Sequence, residues 1–233
     1  MSRPTVTVAP DAEAVARRAA DVMANHINDA RSRSADVHIA LSGGTTPRRA
    51  YELLAEMQGS WRQVHLWLAD ERCVPEDDPE SNTLMLHETL LDRLRASDGP
   101  HLHHVHGELE PEDAAWLYGC DVVRAMGERP VFDLILLGMG PDGHTASLFP
   151  GHPEAASEAA PVIGVRDSPK PPPERISLTM PVLRRARFTL LLVTGAEKAE
   201  ALAKVRAGDE SVPTARIGDG LDEIVCDPAA ANG

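Results

Sequence analysis

The sequence has few cysteines and a deficit of positive charge, and each absence removes a class of protein. Cys73, Cys120 and Cys226 are scattered without a close pair, so the spacing predicts neither a disulfide framework nor a thiolate metal site. Asp and Glu number 36 against 23 Lys and Arg, which gives a formal net charge of −13. Nucleic acids and anionic membranes require a basic surface, so neither is expected as a partner.

Long apolar segments are also missing. No stretch reaches the roughly 18 apolar residues of a membrane span, and Met1–Pro10 lacks the apolar core of a signal peptide. A cytoplasmic location is therefore expected. The 233 residues are compatible with one or two domains, but no stretch has the composition of a linker, and the proline-rich segment 168–173 is short. We expect a single domain over residues 1–233, as a monomer or a weak homo-oligomer.

Short β-branched or leucine-rich runs alternate with amphipathic helical patterns along the chain. This order is typical of right-handed βαβ units, so we predict a single-domain, layered α/β/α fold with a mostly parallel, Rossmann-like sheet. The predicted strands are 5–8, 37–41, 64–68, 132–137, 175–180, 188–193 and 223–226, and the predicted helices are 11–32, 47–57, 83–94, 112–126 and 197–206.

The most informative segment is a buried-strand pattern, 132–137, that leads into a glycine-rich turn carrying His144. Glycines permit a tight exit from the strand, and ligands of such sheets bind at the carboxyl ends of the strands. His144 is therefore a candidate catalytic base facing a crevice. An isolated histidine in a turn is also compatible with a solvated or structural role.

A second candidate site follows the predicted strand 37–41, where a Gly-Gly turn flanked by hydroxyls leads into a helix opened by Pro47. Free N–H groups at a helix start, glycines that let a ligand approach and hydroxyl donors together suit phosphate oxygens. An ordinary strand-to-helix turn is the alternative. The residues of this loop are Ser42, Gly43, Gly44, Thr45 and Thr46.

Three further cations are candidates for an anion site. Arg72 follows the strand 64–68, and its planar guanidinium suits phosphate or carboxylate, with Asp70 or Glu71 as groups that could hold it. A surface ion pair is the alternative. Arg175 opens a strand, and Lys198 lies in the first turn of a helix, where a cation is unfavourable unless an anion binds nearby.

Four histidines lie between His101 and His106, and in an extended segment His104 and His106 would share a face. That pair could bind zinc, but no third ligand stands at a sensible spacing, so adventitious binding is the preferred interpretation and no functional metal is predicted.

With these segments in order, the chain resembles the 6-phosphogluconolactonases, and the resemblance spans nearly the whole length. The matching motifs are Leu41-Ser-Gly-Gly-Thr-Thr-Pro47, Ala69-Asp-Glu-Arg-x-Val-Pro75, Asp78-Pro-Glu-Ser-Asn82, Leu137-Gly-Met-Gly-Pro-Asp-Gly-His-Thr-Ala-Ser-Leu-Phe-Pro-Gly151 and Val193-Thr-Gly-Ala-Glu-Lys-Ala199. The resemblance implies hydrolysis of 6-phospho-D-glucono-1,5-lactone to 6-phospho-D-gluconate in the oxidative pentose phosphate pathway, without a metal or another cofactor.

The resemblance also implies roles for individual residues. His144 would be the base that activates water. Asp142 could orient the His144 ring or serve as a structural turn residue, and Asn82 could contact substrate or stabilise its loop. The residues implied in phosphate binding are Gly43, Gly44, Thr45, Arg72, Arg175 and Lys198, and the loop from Ser42 to Thr46 would anchor the phosphate.

Two alternatives remain open at this point. Glucosamine-6-phosphate deaminases share the loop and the histidine turn, but they carry a glutamate shortly after the histidine, where this chain has Ser147-Leu-Phe-Pro150. A phenyl ring cannot perform the proton transfer of that glutamate. A non-catalytic sugar-phosphate sensor is the other alternative, although no basic helix-turn-helix pattern accompanies the fold.

Overall fold

Strands and helices alternate along the chain in a computed structural model that describes residues 4–232. The strands are β1 Thr5–Val8, β2 Val37–Leu41, β3 Val64–Leu68, β4 Asp70–Arg72, β5 His101–Leu102, β6 Leu134–Gly138, β7 Val162–Val165, β8 Arg175–Leu178, β9 Thr189–Val193 and β10 Glu223–Cys226. The helices are α1 Ala12–Arg33, α2 Thr45–Met57, α3 Asn82–Thr89, α4 Pro111–Met126, α5 Met180–Leu183, α6 Ala199–Ala207 and α7 Pro228–Ala231. Short 3-10 helices cover Leu91–Arg93, Ala96–Asp98, Pro153–Ala156, Ala196–Lys198 and Pro213–Gly220.

Seven strands form the main sheet in the order β1-β10-β9-β6-β2-β3-β5, and every pair in it is parallel. The central strands β6 and β9 are buried on both faces, as their leucine-rich sequences require in a sheet flanked by helices. The side chain of Asp11 caps α1 by accepting from the Ala14 N–H. Helix α1 packs on β10, β2, β6 and β9 and against α2. The prediction of a mostly parallel α/β sheet is confirmed.

A second, antiparallel sheet of three strands, β4-β8-β7, was not predicted. The sequence pattern predicts a strand over residues 175–180 in the alternating series, but β8 is the central strand of this smaller sheet and ends at Leu178. The reason lies at the end of β3, where Ala69 separates the apolar strand from the charged residues of β4. The register pairs Arg72 with Arg175. Two cations therefore enter the site side by side.

Several element ends differ from the predicted ones. Helix α2 begins at Thr45 rather than at Pro47, since a proline in the first turn removes only an N–H that has no intrahelical acceptor. Helix α3 ends at Thr89 rather than near Leu94, and the Thr89 hydroxyl donates to the Met85 carbonyl at that point. The predicted helix 197–206 begins as a 3-10 turn and becomes α-helical only from Ala199.

One buried apolar cluster joins the sheet to its helices, and two tyrosines in it also bond to backbone. The Tyr118 hydroxyl lies 2.7 Å from the Leu68 nitrogen at the end of β3. The Tyr51 hydroxyl donates to the Ser42 carbonyl at 2.7 Å. Both bonds fix the strand ends from which the candidate site is built.

Across residues 4–232, no helix has both the length and the apolar character needed to cross a membrane.

Candidate active site

A cleft of about 230 Å³ opens at the carboxyl ends of β2, β6 and β9, where ligands of open α/β sheets bind. The parallel arrangement brings the loops after these strands to one edge, and the second sheet adds side chains from β4 and β8. The cleft is lined by residues 42–47, Asp70, Arg72, Asn82, residues 138–141, His144, Ala146, Lys170, Arg175, Leu192 and Lys198. The cleft therefore brings together the loop after β2, the segment that carries Arg72 and the histidine turn after β6. It also includes Arg175 and Lys198.

The loop after β2 presents backbone N–H groups to the cleft. Gly44 has a φ of 108°, which favours glycine, and a Cβ on Gly43 would lie 1.8 Å from Oδ1 of Asn82. Within residues 4–232, no protein group accepts a hydrogen bond from the N–H of Gly43 or Gly44. With the start of α2 directly behind them, these N–H groups are suited to an anion.

The hydroxyls of the same loop differ in what they can offer a ligand. Ser42 is buried, and its hydroxyl donates to the Leu136 carbonyl at 2.9 Å, so its proton is not free for a phosphate oxygen. The Thr46 hydroxyl lies 2.8 Å from that of Thr194. Thr45 is exposed at the cleft. Ser42 therefore holds the loop in place, whereas Thr45 is available as a donor.

Arg72 is held differently from what the sequence suggested. Its Nη1 donates to Oδ1 of Asn82 at 2.9 Å and to the Glu80 carbonyl, and no hydrogen bond joins its guanidinium to Asp70 or Glu71 within residues 4–232. Its Nε is buried without a hydrogen-bond partner. Asn82 in turn donates from Nδ2 to the Asp70 carbonyl at 2.8 Å. Asn82, which the sequence left ambiguous, thus orients Arg72.

Glu71 is a buried structural carboxylate. It accepts from the backbone N–H groups of Arg72, Asn82 and Thr83, each at 2.8 Å, and so ties β4 to the start of α3. Burial raises the pKa of Glu71, and these hydrogen bonds partly offset the rise. The carboxylate is enclosed by donors from its own segment, so it stabilises the Arg72 loop rather than contacting a ligand.

Arg175 is buried beneath the proline-rich loop. Its Nε donates to the Pro172 carbonyl at 3.0 Å, and its Nη2 lies 3.2 Å from the carbonyls of Lys170 and Pro171. Its Nη1 is 3.9 Å from Oδ2 of Asp70, so the guanidinium both faces the cleft and organises the loop beside it.

Lys170 is a cleft residue that the sequence reasoning missed. It lies in the loop that Arg175 holds and lines the cleft with Lys198, Arg72 and Arg175. The available signal was a single lysine within a stiff run of prolines shortly before Arg175.

Burial lowers the pKa of Lys198, and the nearby positive charge of Lys170 lowers it further. Arg48, which follows the loop after β2, is paired with Glu88 on the surface and is not part of the cleft lining.

His144 is held by three neighbours. Its Nδ1 lies 2.5 Å from Oδ1 of Asp142, and its ring packs 4.6 Å from the ring of Phe149. A Cβ on Gly140 would come within 2.0 Å of the His144 Cε1, so only glycine leaves room for the ring there. The bond from Nδ1 leaves Nε2 as the nitrogen that can accept a proton.

Asp142 is suited to hold that ring. Burial opposes its ionisation, but the hydrogen bond and charge of His144, together with Lys170, lower the pKa of the Asp142 carboxyl to about 2. The carboxylate therefore stays ionised at neutral pH.

Cys73 is not a candidate nucleophile. Burial raises the pKa of the Cys73 thiol to about 12, so this cysteine is a poor nucleophile.

The chain is an α/β protein whose all-parallel main sheet carries a cationic cleft with a histidine–aspartate pair at its strand ends, an arrangement suited to a small anion. The chain belongs to the family described as glucosamine-6-phosphate isomerases/6-phosphogluconolactonase, whose model matches residues 10–226.

Individual relatives carry the second of these names. The 6-phosphogluconolactonase of Streptomyces coelicolor is 39% identical over 88% of this chain and 84% of its own. The human 6-phosphogluconolactonase is 40% identical over 87% of this chain and 78% of its own. The solved structure of 6-phosphogluconolactonase from Trypanosoma cruzi superposes with a TM-score of 0.88 at 28% identity and covers 99% of this chain and 97% of its own.

Proposed function

We propose that this chain is a carboxylic-ester hydrolase that converts 6-phospho-D-glucono-1,5-lactone to 6-phospho-D-gluconate in the oxidative pentose phosphate pathway. The observation that carries the proposal is the His144–Asp142 pair in a cleft that also holds four cations. The substrate needs both features, since its phosphate is an anion and its lactone carbonyl must be attacked by water. The relatives that share most of the chain length carry the name of this activity.

The phosphate end of the substrate is assigned to the loop after β2 and its neighbouring cations. The N–H groups of Gly43 and Gly44 and the Thr45 hydroxyl supply hydrogen bonds, and Arg72 supplies a guanidinium that Asn82 orients at the cleft. Ser42 supports this loop through its buried bond to Leu136. Arg175, Lys198 and Lys170 complete the positive field, which a chain of net charge −13 must concentrate locally.

The lactone end is assigned to His144. Nε2 of the neutral ring takes a proton from water as the oxygen attacks C1, while the Asp142 carboxylate stabilises the imidazolium that forms. Anchoring the phosphate fixes the position of C1 relative to this base. The tetrahedral intermediate then collapses, and the ring oxygen leaves after protonation.

The deaminase alternative lacks its acid–base group. In the stretch that follows His144, Leu148 and Phe149 are fully buried, and the Ser147 hydroxyl donates to Asp70 at 2.7 Å. This stretch offers no carboxylate to the cleft within residues 4–232. Lactone hydrolysis needs one base and donors for a developing oxyanion, which is the simpler requirement.

The remaining expectations belong to the same proposal. We infer a single catalytic domain over residues 1–233, of which residues 1–3 and 233 lie outside the described residues. The enzyme would act as a monomer or a weak homo-oligomer in the cytoplasm, without a cofactor or a nucleic-acid partner. The acidic net charge supports the last of these.

The activity is tested by mixing the purified chain with freshly generated 6-phosphogluconolactone and excess 6-phosphogluconate dehydrogenase. We expect formation of 6-phosphogluconate well above spontaneous hydrolysis, saturable in substrate. Glucosamine 6-phosphate is assayed in parallel. Turnover of the amino sugar with no acceleration of lactone hydrolysis would replace the proposal with a deaminase, and binding of both without turnover would indicate a sensor.

The role of Asp142 predicts the effect of Asp142→Asn. Asparagine keeps an acceptor for the His144 N–H but loses the charge that stabilises the imidazolium, so we expect kcat to fall by about 10- to 100-fold with a small change in KM. Steady-state kinetics measure the change. The matched control is Asp209→Asn, because Asp209 accepts a similar turn bond from the Ser211 N–H outside the cleft. Unchanged kcat in Asp142→Asn would reduce Asp142 to a structural turn residue.

A further inference from the structure

The segment after β5 carries a cluster of metal-ligand side chains that are not part of the cleft lining. His104, His106 and Glu108 each offer one ligand atom, and these atoms lie within 4.8 Å of one another. Nδ1 of His106 is 3.0 Å from Oε1 of Glu108, and the rings of His104 and His106 meet edge to face at 4.6 Å. Glu108 supplies the third ligand that was not recognised from the sequence.

A fourth donor comes from a different part of the chain. Oε2 of Glu76, in the loop after β4, lies 3.5 Å from Nδ1 of His104. The other oxygen of Glu76 is 3.7 Å from Nε2 of His87, which in turn faces Asp92 at 3.3 Å. The group therefore contains two imidazoles from one turn and carboxylates from two segments that are far apart in sequence.

The backbone holds this turn in a defined position. A Cβ on Gly107 would lie 2.3 Å from the Val74 carbonyl, so glycine permits direct packing of the turn on the loop after β4. The Gly107 N–H donates to the Val105 carbonyl at 2.9 Å, and the Leu109 N–H donates to the His106 carbonyl at 3.1 Å. The three side chains therefore project from a fixed turn rather than from a flexible tail.

The donor set matches a zinc-class ion. Two imidazoles with one or two carboxylates suit Zn²⁺, Co²⁺ and Ni²⁺ better than Ca²⁺ or Mg²⁺. With bonds of about 2.0–2.2 Å, tetrahedral ligand atoms stand roughly 3.3–3.6 Å apart, so the ligand atoms of His104, His106 and Glu108, now within 4.8 Å of one another, must approach by up to about 1.2–1.5 Å. The histidine side chains are 44% and 45% exposed, which leaves them free to make that adjustment.

We propose that His104, His106 and Glu108, with Glu76 as the fourth ligand, bind one divalent transition-metal ion of the zinc class. The ion would link the turn after β5 to the loop after β4. None of these four residues lines the cleft, so the proposal does not depend on the proposed hydrolysis.

The test uses the untagged full-length chain after treatment with a chelator. Co²⁺ is titrated in and followed by its visible absorption, and Zn²⁺ is then used to displace it. We expect one equivalent to bind with a tetrahedral-type spectrum, and Zn²⁺ at a hundredfold excess over its Kd to raise Tm by about 5–10 °C. His104→Ala and His106→Ala should each weaken binding at least tenfold, and Glu108→Gln and Glu76→Gln should weaken it measurably.

The matched control is His101→Asn, from the same histidine-rich segment. The His101 ring packs against His103 at 4.5 Å and His65 at 5.5 Å rather than against the proposed ligands, so this variant should bind the ion like the wild type. All these side chains are partly exposed, and circular dichroism verifies folding. Loss of binding in His101→Asn alone, equal binding in every variant, or a wild-type Kd above about 1 mM would each overturn the proposal.

Discussion

Replacing His144 by alanine is expected to lower kcat for lactone hydrolysis by about 10²- to 10⁴-fold, the usual contribution of a positioned general base. The expectation follows from geometry, because Asp142 occupies Nδ1 and the ring rests on Gly140 and Phe149, so that Nε2 is left for water. KM should change little, because the proposed phosphate contacts lie elsewhere in the cleft. The coupled assay measures both constants after subtraction of spontaneous hydrolysis.

The matched control for this variant is His152→Ala. His152 follows His144 in the same loop, and its ring centroid lies 5.9 Å from that of Phe149, but it is not part of the cleft lining. We expect its kcat to stay within a few-fold of the wild-type value, with both variants folded by circular dichroism. A His144→Ala enzyme that kept most of its kcat would remove His144 from the mechanism while leaving the hydrolase activity in place.

Replacing Arg72 by methionine is expected to lower kcat/KM for the phosphorylated lactone by about 10- to 100-fold, since a hydrogen bond to a charged group contributes roughly 1.5–3 kcal/mol. The same variant should hydrolyse unphosphorylated glucono-1,5-lactone as well as the wild type does. The physical reason is that Arg72 lines the cleft and that the bond from its Nη1 to Asn82 holds the guanidinium in place there. Kinetics with the two lactones isolate the phosphate contribution.

Arg48→Met is the matched control, because this arginine follows the loop after β2 but pairs with Glu88 outside the cleft. Its kcat/KM for both lactones should stay at the wild-type level. Arg72→Met also leaves Asn82 and the Glu80 carbonyl without a donor, so Tm is measured alongside. An equal loss on both lactones would mean that Arg72 supports the loop and does not bind phosphate.

The parallel sheet was predictable because its strands carry their burial in the local sequence. The runs 37–41, 64–68 and 223–226 are strands with the predicted ends. Glycine-rich turns after two of the strands marked the edge at which the cleft opens. Those features depend on neighbours within a few residues, so one sequence is sufficient to identify them.

The second sheet was not predictable by the same reasoning. Strands β4 and β7 are only three and four residues long. The pairing of β4 with β8 also joins segments that are about 100 residues apart in sequence. That pairing decides that Arg175 faces the cleft and holds the proline-rich loop, which brings Lys170 into the site. No local pattern distinguishes this lysine from a solvated one.

The sequence by itself determined the alternating α/β fold, the glycine-rich loop at residues 42–46 and the histidine turn, because periodicity, glycine placement and motif order are local properties. Only the tertiary structure decided which polar groups are bonded to other protein groups and which are available to a ligand. Ser42 is engaged by Leu136, Arg72 is held by Asn82 rather than by its neighbouring acids, and Glu108 and Glu76 join two histidines. Hydrogen-bond partners and charge pairs are set by distances in space, and residues far apart in sequence supply them.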